Sequence, residues 1–188
     1  MFRDLIERIA SEFALWKIPY MIIGGQAVLL YGEPRLTKDI DITLGVGIEA
    51  FEKIVGAVEA LGLKIQVAEA KAFVMETMVL PVLDVPSGIR VDLIFSFTPY
   101  ERQAVERAVV VKFDDIAVMF ASLEDVVIHK VVAGRARDIE DVRVVLLKNP
   151  GYDGTYIRAW LSEFDRALEG GGLRAFEEIV AGLNASAK

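Results

Sequence analysis

The sequence predicts an α/β (α+β) fold: a mixed β-sheet core flanked by helices, with a helical C-terminal extension. Three observations carry this. Up to Phe120, short apolar runs interchange with stretches of helical period; after Ser122 only helical periodicity remains; and Asp39 to Leu44 alternates acidic and apolar residues with the period of a two-faced strand. The 188 residues are 54% hydrophobic and 26% charged, which suits one folded domain, or one with a small appendage.

Leu5, Ile6, Ile9, Phe13 and Trp16 fall at helical spacing over Asp4 to Trp16, and Pro19 ends that helix. Tyr20 to Ile23 reads as a buried strand, the Gly24-Gly25 pair as a turn, and Gln26 to Tyr31 as a second helix closed by Gly32 and Pro34. After the strand Asp39 to Leu44 comes a helix from Ile48 to Leu61 with Gly62 as its stop, then a strand from Leu63 to Val67. Val79 to Val85 and Ile89 to Phe95 flank Pro86-Ser87-Gly88 as a hairpin, and Val109 to Phe113 and Ile116 to Phe120 flank Asp114-Asp115 likewise. Four helices complete the chain: Leu123 to Ala133, Ile139 to Leu147, Thr155 to Leu168 and Leu173 to Leu183. Gly134, Asn149-Pro150-Gly151 and Gly170-Gly171-Gly172 divide them.

Composition removes several chemistries. Cysteine is absent, so disulfides, zinc thiolates and a cysteine nucleophile are excluded, and any metal must be held by oxygen. His129 is the single histidine and reads as an ordinary helix residue. A net charge of −7 argues against a generally basic nucleic-acid coat. No apolar stretch approaches the roughly 18 residues a membrane-spanning helix needs, and Asp4, Glu7 and Glu12 interrupt any signal-like segment, so no membrane association and a cytoplasmic location are expected.

Asp39 and Asp41, two apart on a strand, rise about 6.6 Å and point the same way, which offers two carboxylates to one point in space. Asp92 interrupts the apolar strand Ile89 to Phe95, and a carboxylate there is costly unless it is paired or bound to a metal. Beside Asp39 and Asp41 it completes a three-carboxylate cluster whose repulsion cations relieve; a salt bridge to Arg90 or Arg35 is the alternative. Mg2+ is the cation expected, because it takes a few carboxylates and completes its octahedron with water and phosphate oxygens. Gly24-Gly25, between a buried strand and a helix, lets backbone approach a phosphate and aims a helix N-terminus at it; a simple tight turn is the plainer reading.

These residues resemble the nucleotidyltransferases of the DNA polymerase β superfamily, whose signature is a Gly-Gly or Gly-Ser turn, then Asp-x-Asp, then a later Asp. The stretch from Gly24 to Ile42 is similar to the small prokaryotic branch that includes the AbiEii-like nucleotidyltransferase toxins. Ser122 to Lys130, Ala133-Gly134-Arg135 and Asp138 to Asp141 resemble that branch's lysine-bearing helix and Asp-rich turn. The resemblance spans residues 20–145 and implies a nucleotidyltransferase core over 1–121, with a helical region over 122–188 packed on it. It further implies Mg2+ (or Mn2+) on Asp39, Asp41 and Asp92, with Asp92 acting as, or orienting, the base for the acceptor hydroxyl. A nucleoside triphosphate, ATP among the candidates, would be held by Gly24, Gly25, Arg35, Thr37, Lys130 and Arg135. Lys130 counts among the catalytic residues as a phosphate-binding charge, a solvated helix lysine being the alternative, and Asp138 is explained equally by the helix dipole.

The activity implied is transfer of a nucleoside monophosphate to a hydroxyl on an RNA end, such as that of a tRNA, or on a protein side chain, with pyrophosphate release. An antitoxin or toxin partner follows from the toxin branch. Arg35, Lys38, Arg90, Lys130, Arg135 and Arg137 are the local basic residues for an RNA end. A catalytically weak regulatory protein that binds a nucleotide or a partner is the alternative. The chain departs from many members in placing Gln26 where a serine follows the glycines.

Overall fold

The computed structural model describes residues 1–33 and 36–186. Its elements run α1 (Phe2–Leu15), β1 (Tyr20–Ile23), α2 (Gly24–Tyr31), β2 (Asp39–Leu44), a 3-10 turn (Ile48–Ala50), α3 (Phe51–Ala60), β3 (Lys64–Ile65), α4 (Ala70–Thr77), β4 (Val79–Asp84), β5 (Ile89–Ile94), α5 (Pro99–Glu106), β6 (Val109–Phe113), β7 (Ile116–Phe120), α6 (Leu123–Ala133), α7 (Ala136–Lys148), α8 (Gly154–Leu168) and α9 (Gly172–Ser186). The α+β class expected from the sequence holds. The chain divides into two compact units, Met1–Gln26 with Leu36–Ala121, and Ala27–Arg35 with Ser122–Lys188.

The first unit carries a seven-stranded mixed sheet of order β3-β4-β5-β2-β1-β7-β6. The β2/β5 and β1/β7 pairs are parallel and the others antiparallel. Period-2 patterning separates its faces. Ile40, Ile42 and Leu44 of β2, Ile89, Val91 and Leu93 of β5, and Leu80 and Val82 of β4 are all buried. Residues between them on β4 and β5 are partly open: Pro81 and Leu83, Asp92 and Ile94. One face is thus core and the other is partly accessible. α1 buries Leu5, Ile6, Ile9, Ala10 and Phe13 and packs against β7 and α3. Phe13 meets Tyr20 of β1 edge-on at 5.3 Å. Arg8 on α1 donates to Asp84 Oδ1 at 3.0 Å and to the Leu61 carbonyl at 2.7 Å, while Ser87 donates to Asp84 Oδ2, so the buried Asp84 is fully partnered. Burial works against ionisation of Asp84, but the Ser87 and Arg8 hydrogen bonds outweigh it and hold the carboxyl below its ordinary value.

The structure corrects several sequence boundaries. The strand expected over Leu63 to Val67 is only Lys64–Ile65, because the Leu63 N–H turns back to the Val58 carbonyl. α2 begins on Gly24 itself rather than at Gln26. Two helices carry no expectation, α4 and α5. α4 buries only Val74, which leaves little apolar periodicity to read. α5 opens with a capping box, in which Thr98 and Glu101 satisfy each other's backbone, and with Pro99 at its first position.

The second unit is helical. Ser122 caps α6 by accepting from the Asp125 N–H at 3.2 Å, and Asp153 caps α8 by accepting from the Thr155 and Tyr156 N–H groups. Gly134, at φ +63, ends α6 in the left-handed conformation and lets α7 start two residues later. Across this tight corner Lys130 Nζ lies 2.6 Å from Asp138 Oδ1 and 3.0 Å from Asp141 Oδ2, and Arg135 Nε lies 2.5 Å from Asp138 Oδ2. Lys130 and Asp138 are buried, with side chains 8% and 3% exposed. Asp125, wholly buried, accepts from Ser122 Oγ and from the Tyr156 hydroxyl. Burial, with Glu124 and Asp125 nearby, pushes the Tyr31 phenol up to about 12. Among the described residues no helix is long and apolar enough to cross a membrane.

Truncating Lys130 to alanine leaves the buried carboxylates Asp138 and Asp141 without their shared cation, so it should cost about 3–5 kcal/mol in denaturant unfolding at neutral pH. Burial favours the neutral form of Asp138, yet hydrogen bonds from Arg135 and Lys130 prevail and hold the carboxyl below its ordinary 3.8. A depressed acid stabilises above its unfolded-state value and stops doing so as the pH falls through its folded one. The difference between wild type and Lys130→Ala should therefore be full at pH 7 and shrink below about pH 4, read from urea midpoints across that range.

Candidate active site

β2 and β5 pair in parallel with Asp39 opposite Arg90, Asp41 opposite Asp92 and Thr43 opposite Ile94. Residues two apart share a face, so Asp39, Asp41 and Thr43 line one side of β2, with Arg90 and Asp92 beside them on β5. The pairing brings the three predicted aspartates together on the partly open face of the sheet. On the other flank of β2, Ile23 of β1 pairs with Asp41, and Gly24 follows at once.

That adjacency explains the glycine. Gly24 has φ +63, and a Cβ built there would stand 2.0 Å from Asp41 Oδ2. The carboxylate of Asp41 therefore lies against the first residue of α2, and any side chain at position 24 would occupy its place. Gln26, two residues further, is buried and donates from Nε2 to Thr37 Oγ1 at 2.7 Å. The residue that departs from the family pattern thus anchors the stretch before β2, and Thr37 keeps its own O–H as a donor.

Arg90 reaches across the acids. Its Nη2 lies 3.4 Å from Asp92 Oδ2 and 4.0 Å from Asp39 Oδ2, with the Arg90 side chain 57% exposed and those of Asp39 and Asp92 41% and 21% exposed. The salt-bridge alternative for Asp92 is therefore present, though long and solvent-facing. Among the described residues no three His, Asp or Glu side chains are gathered closely enough to hold a metal as they stand. The donor chemistry nevertheless fits a hard divalent cation. It is oxygen only, three carboxylates share the face, and the Thr43 hydroxyl on that face is buried with no hydrogen-bond partner among the described residues.

Arg35 lies outside the described residues. Lys130 and Arg135 belong to the second unit and converge on Asp138. Lys130 is not a solvated helix lysine: burial and two carboxylates fix its ammonium. Thr43 and Arg90 extend the site beyond the expected set. Counting two residues on from Asp41 and two back from Asp92 along the same faces is the signal that reaches them.

With the geometry in hand, the chain can be set beside known proteins. No curated protein matches it by sequence. Among solved structures it is similar to an antigenic nucleotidyltransferase-like protein from Paracoccidioides brasiliensis, at 14% identity and TM-score 0.57 over 92% of each chain. It is also similar to ANT(2")-Ia in complex with adenylyl-2"-tobramycin, at 16% identity and TM-score 0.57 over 88% of this chain and 97% of that one. A third is the lincosamide antibiotic adenylyltransferase LnuA, lincomycin-bound, at 17% identity and TM-score 0.52 over 76% of this chain and 94% of that one. At such identities the likeness is one of fold. A family model described as nucleotidyltransferase of unknown function (DUF6036) matches residues 3–150, most of the chain. The protein belongs to that nucleotidyltransferase family.

Proposed function

We propose that the protein transfers a nucleoside monophosphate from a nucleoside triphosphate to an acceptor hydroxyl, with release of pyrophosphate, and that Asp39, Asp41 and Asp92 hold Mg2+ or Mn2+ for this reaction. The observation that supports the reading best is the β2/β5 register, which sets Asp41 opposite Asp92 with Asp39 on the same open face and Gly24 alongside. A divalent cation bound by these carboxylates supplies positive charge to the phosphates and to the entering and leaving oxygens.

The chain's own residues divide the rest of the work. Gly24 and Gly25 open α2, so backbone N–H groups at a helix start are offered to the triphosphate without side-chain obstruction. Thr37, steadied by Gln26, offers a hydroxyl donor beside them. Asp92 accepts the proton of the acceptor hydroxyl as that oxygen bonds to the α-phosphorus and the bond to the bridging oxygen breaks, so pyrophosphate leaves. Lys130 and Arg135, committed to Asp138, are given the role of bracing the corner between α6 and α7.

The acceptor is a hydroxyl on an RNA end or a protein side chain, as the resemblance to the toxin branch implies. A role in a toxin–antitoxin pair, with ATP as one candidate donor, belongs to the same reading. A hydroxyl-rich small amine is a second reading, favoured by the fold shared with ANT(2")-Ia and by the acidic net charge of −7. Incubation with each labelled triphosphate and Mg2+, offered total RNA, a cell lysate or aminoglycosides in turn, identifies the acceptor by which becomes labelled. Pyrophosphate release in none of them would leave a nucleotide- or partner-binding protein and overturn the enzyme reading.

Mg2+ or Mn2+ at about 100 times its Kd should raise the Tm of the wild type by about 5–10 °C, since binding to the folded state alone stabilises it by mass action. Asp41→Asn should remove most of that rise, and an undiminished rise by thermal melt would refute the assignment. Gly24→Ala should stay folded at a cost of about 1–2 kcal/mol for the left-handed backbone. It should nevertheless lose both the metal-dependent rise and, by about 100-fold or more, the transfer rate, because Asp41 must shift to admit the methyl group.

A further inference from the structure

Among the described residues four charged side chains share the site face, three negative and one positive, and the roles proposed above use only the negative ones. Arg90 stands opposite Asp39 and two residues before Asp92, with Nη2 3.4 Å from Asp92 Oδ2 and 4.0 Å from Asp39 Oδ2. A guanidinium is suited to this position because its planar fork can serve two carboxylates at once, which the point charge of a lysine does less well. The separations are longer than those of a tight bidentate pair, and more than half of the side chain is exposed. Such contacts are weak and easily exchanged. Left without any cation, by contrast, three carboxylates on one face repel one another.

We propose that Arg90 is a built-in counter-ion of this site: in the metal-free protein its guanidinium neutralises Asp39 and Asp92, and a divalent cation binds by displacing it. The inference rests on the metal-binding reading given above and adds an internal competitor to it. Two consequences follow. The metal-free fold escapes the full repulsion of its own carboxylates. The affinity for the bare cation is lowered by the strength of the guanidinium contacts, so the site fills less readily with metal alone than its three acids would otherwise allow. The displaced guanidinium remains on the site face as a mobile cation beside a ligand rich in phosphate oxygens, so metal and triphosphate together bind better than either alone.

Mn2+ titration of the intact protein, followed by the loss of free-ion paramagnetic resonance, compares wild type with Arg90→Gln and Arg90→Lys. Arg90→Gln should bind Mn2+ about tenfold more tightly, the factor that two exposed ion pairs of ordinary strength amount to. Its metal-free Tm should fall below that of wild type, and Arg90→Lys should lie between. A non-hydrolysable triphosphate should tighten Mn2+ binding in the wild type by a larger factor than in Arg90→Gln. Removing a positive charge near any metal site tightens binding to some degree, so displacement needs its own measurement. The Arg90 Nη–H resonances, assigned by their absence from Arg90→Gln, should exchange with solvent faster once Mg2+ saturates the wild type, because the released Nη2 loses its acceptors. Unchanged exchange, or Mn2+ affinity in folded Arg90→Gln equal to or weaker than wild type, would overturn the counter-ion and leave the metal site standing. A wild type that binds no Mn2+ at all would remove both readings together.

Discussion

The parallel register between β2 and β5 is the constraint on which the first unit's chemistry depends. Parallel strands a few ångströms apart with Asp41 facing Asp92 force like charges together, and alternation brings Asp39 to the same side. A one-residue shift of β2 would turn Asp39 and Asp41 into the apolar face beside Val91 and Leu93, and the same shift of β5 would turn Asp92 there beside Ile40 and Ile42, where carboxylates are prohibitively costly. The buried face therefore fixes the register for reasons of packing alone. The open face inherits an unfavourable charge pattern that packing did not select. Gly24 is tied to the same register, since its missing side chain leaves the space that Asp41 fills.

The molecule treats acidic side chains in two contrasting ways. Asp84 and Asp138 are buried and saturated with donors: Arg8 and Ser87 for the first, Lys130 and Arg135 for the second. The carboxylates themselves are buried and their contacts short, although Arg8 and Arg135 keep 48% and 76% of their side chains exposed. Asp39 and Asp92 stand in partial contact with water and share the loosely held Arg90 guanidinium. High local dielectric makes that arrangement tolerable and leaves it free to exchange partners. The distinction between an acid that holds the fold and an acid that is available to a ligand is thus one of solvent access and partner count, not of residue type.

How much of this the sequence discloses varies with the kind of information required. Strands β2, β6 and β7 and helix α6 have the limits that alternation and flanking turns predict, because the signal for each lies within the element. The Asp-x-Asp spacing and the isolated acid at position 92 were legible for the same reason, and the family pattern anticipated that they fall on neighbouring strands. The contacts of Lys130 were not. Its burial depends on how α6 meets α7 through Gly134, and Asp138 looks in sequence like an ordinary first-turn acid. Arg90 was visible as a partner for Asp92, but its reach to Asp39 depends on strand pairing across some fifty positions, which no local pattern encodes. α5, which raised no expectation, carries a start signal in Thr98, Pro99 and Glu101 that periodicity alone overlooks because the helix is short.

The sheet's order also governs the timing of its assembly. β1 sits between β2, which follows it closely, and β7, which pairs Ile22 with Phe120 at the far end of the first unit. During synthesis β1 therefore keeps one unsatisfied edge until nearly the whole unit has left the ribosome, and β2 waits for β5 in the same way. A nascent chain that exposes apolar strand edges for so long depends on slow, late closure rather than on stepwise growth from its N-terminus. The aspartate face comes into being only with that closure. A partly made chain carries the three acids but not yet their arrangement.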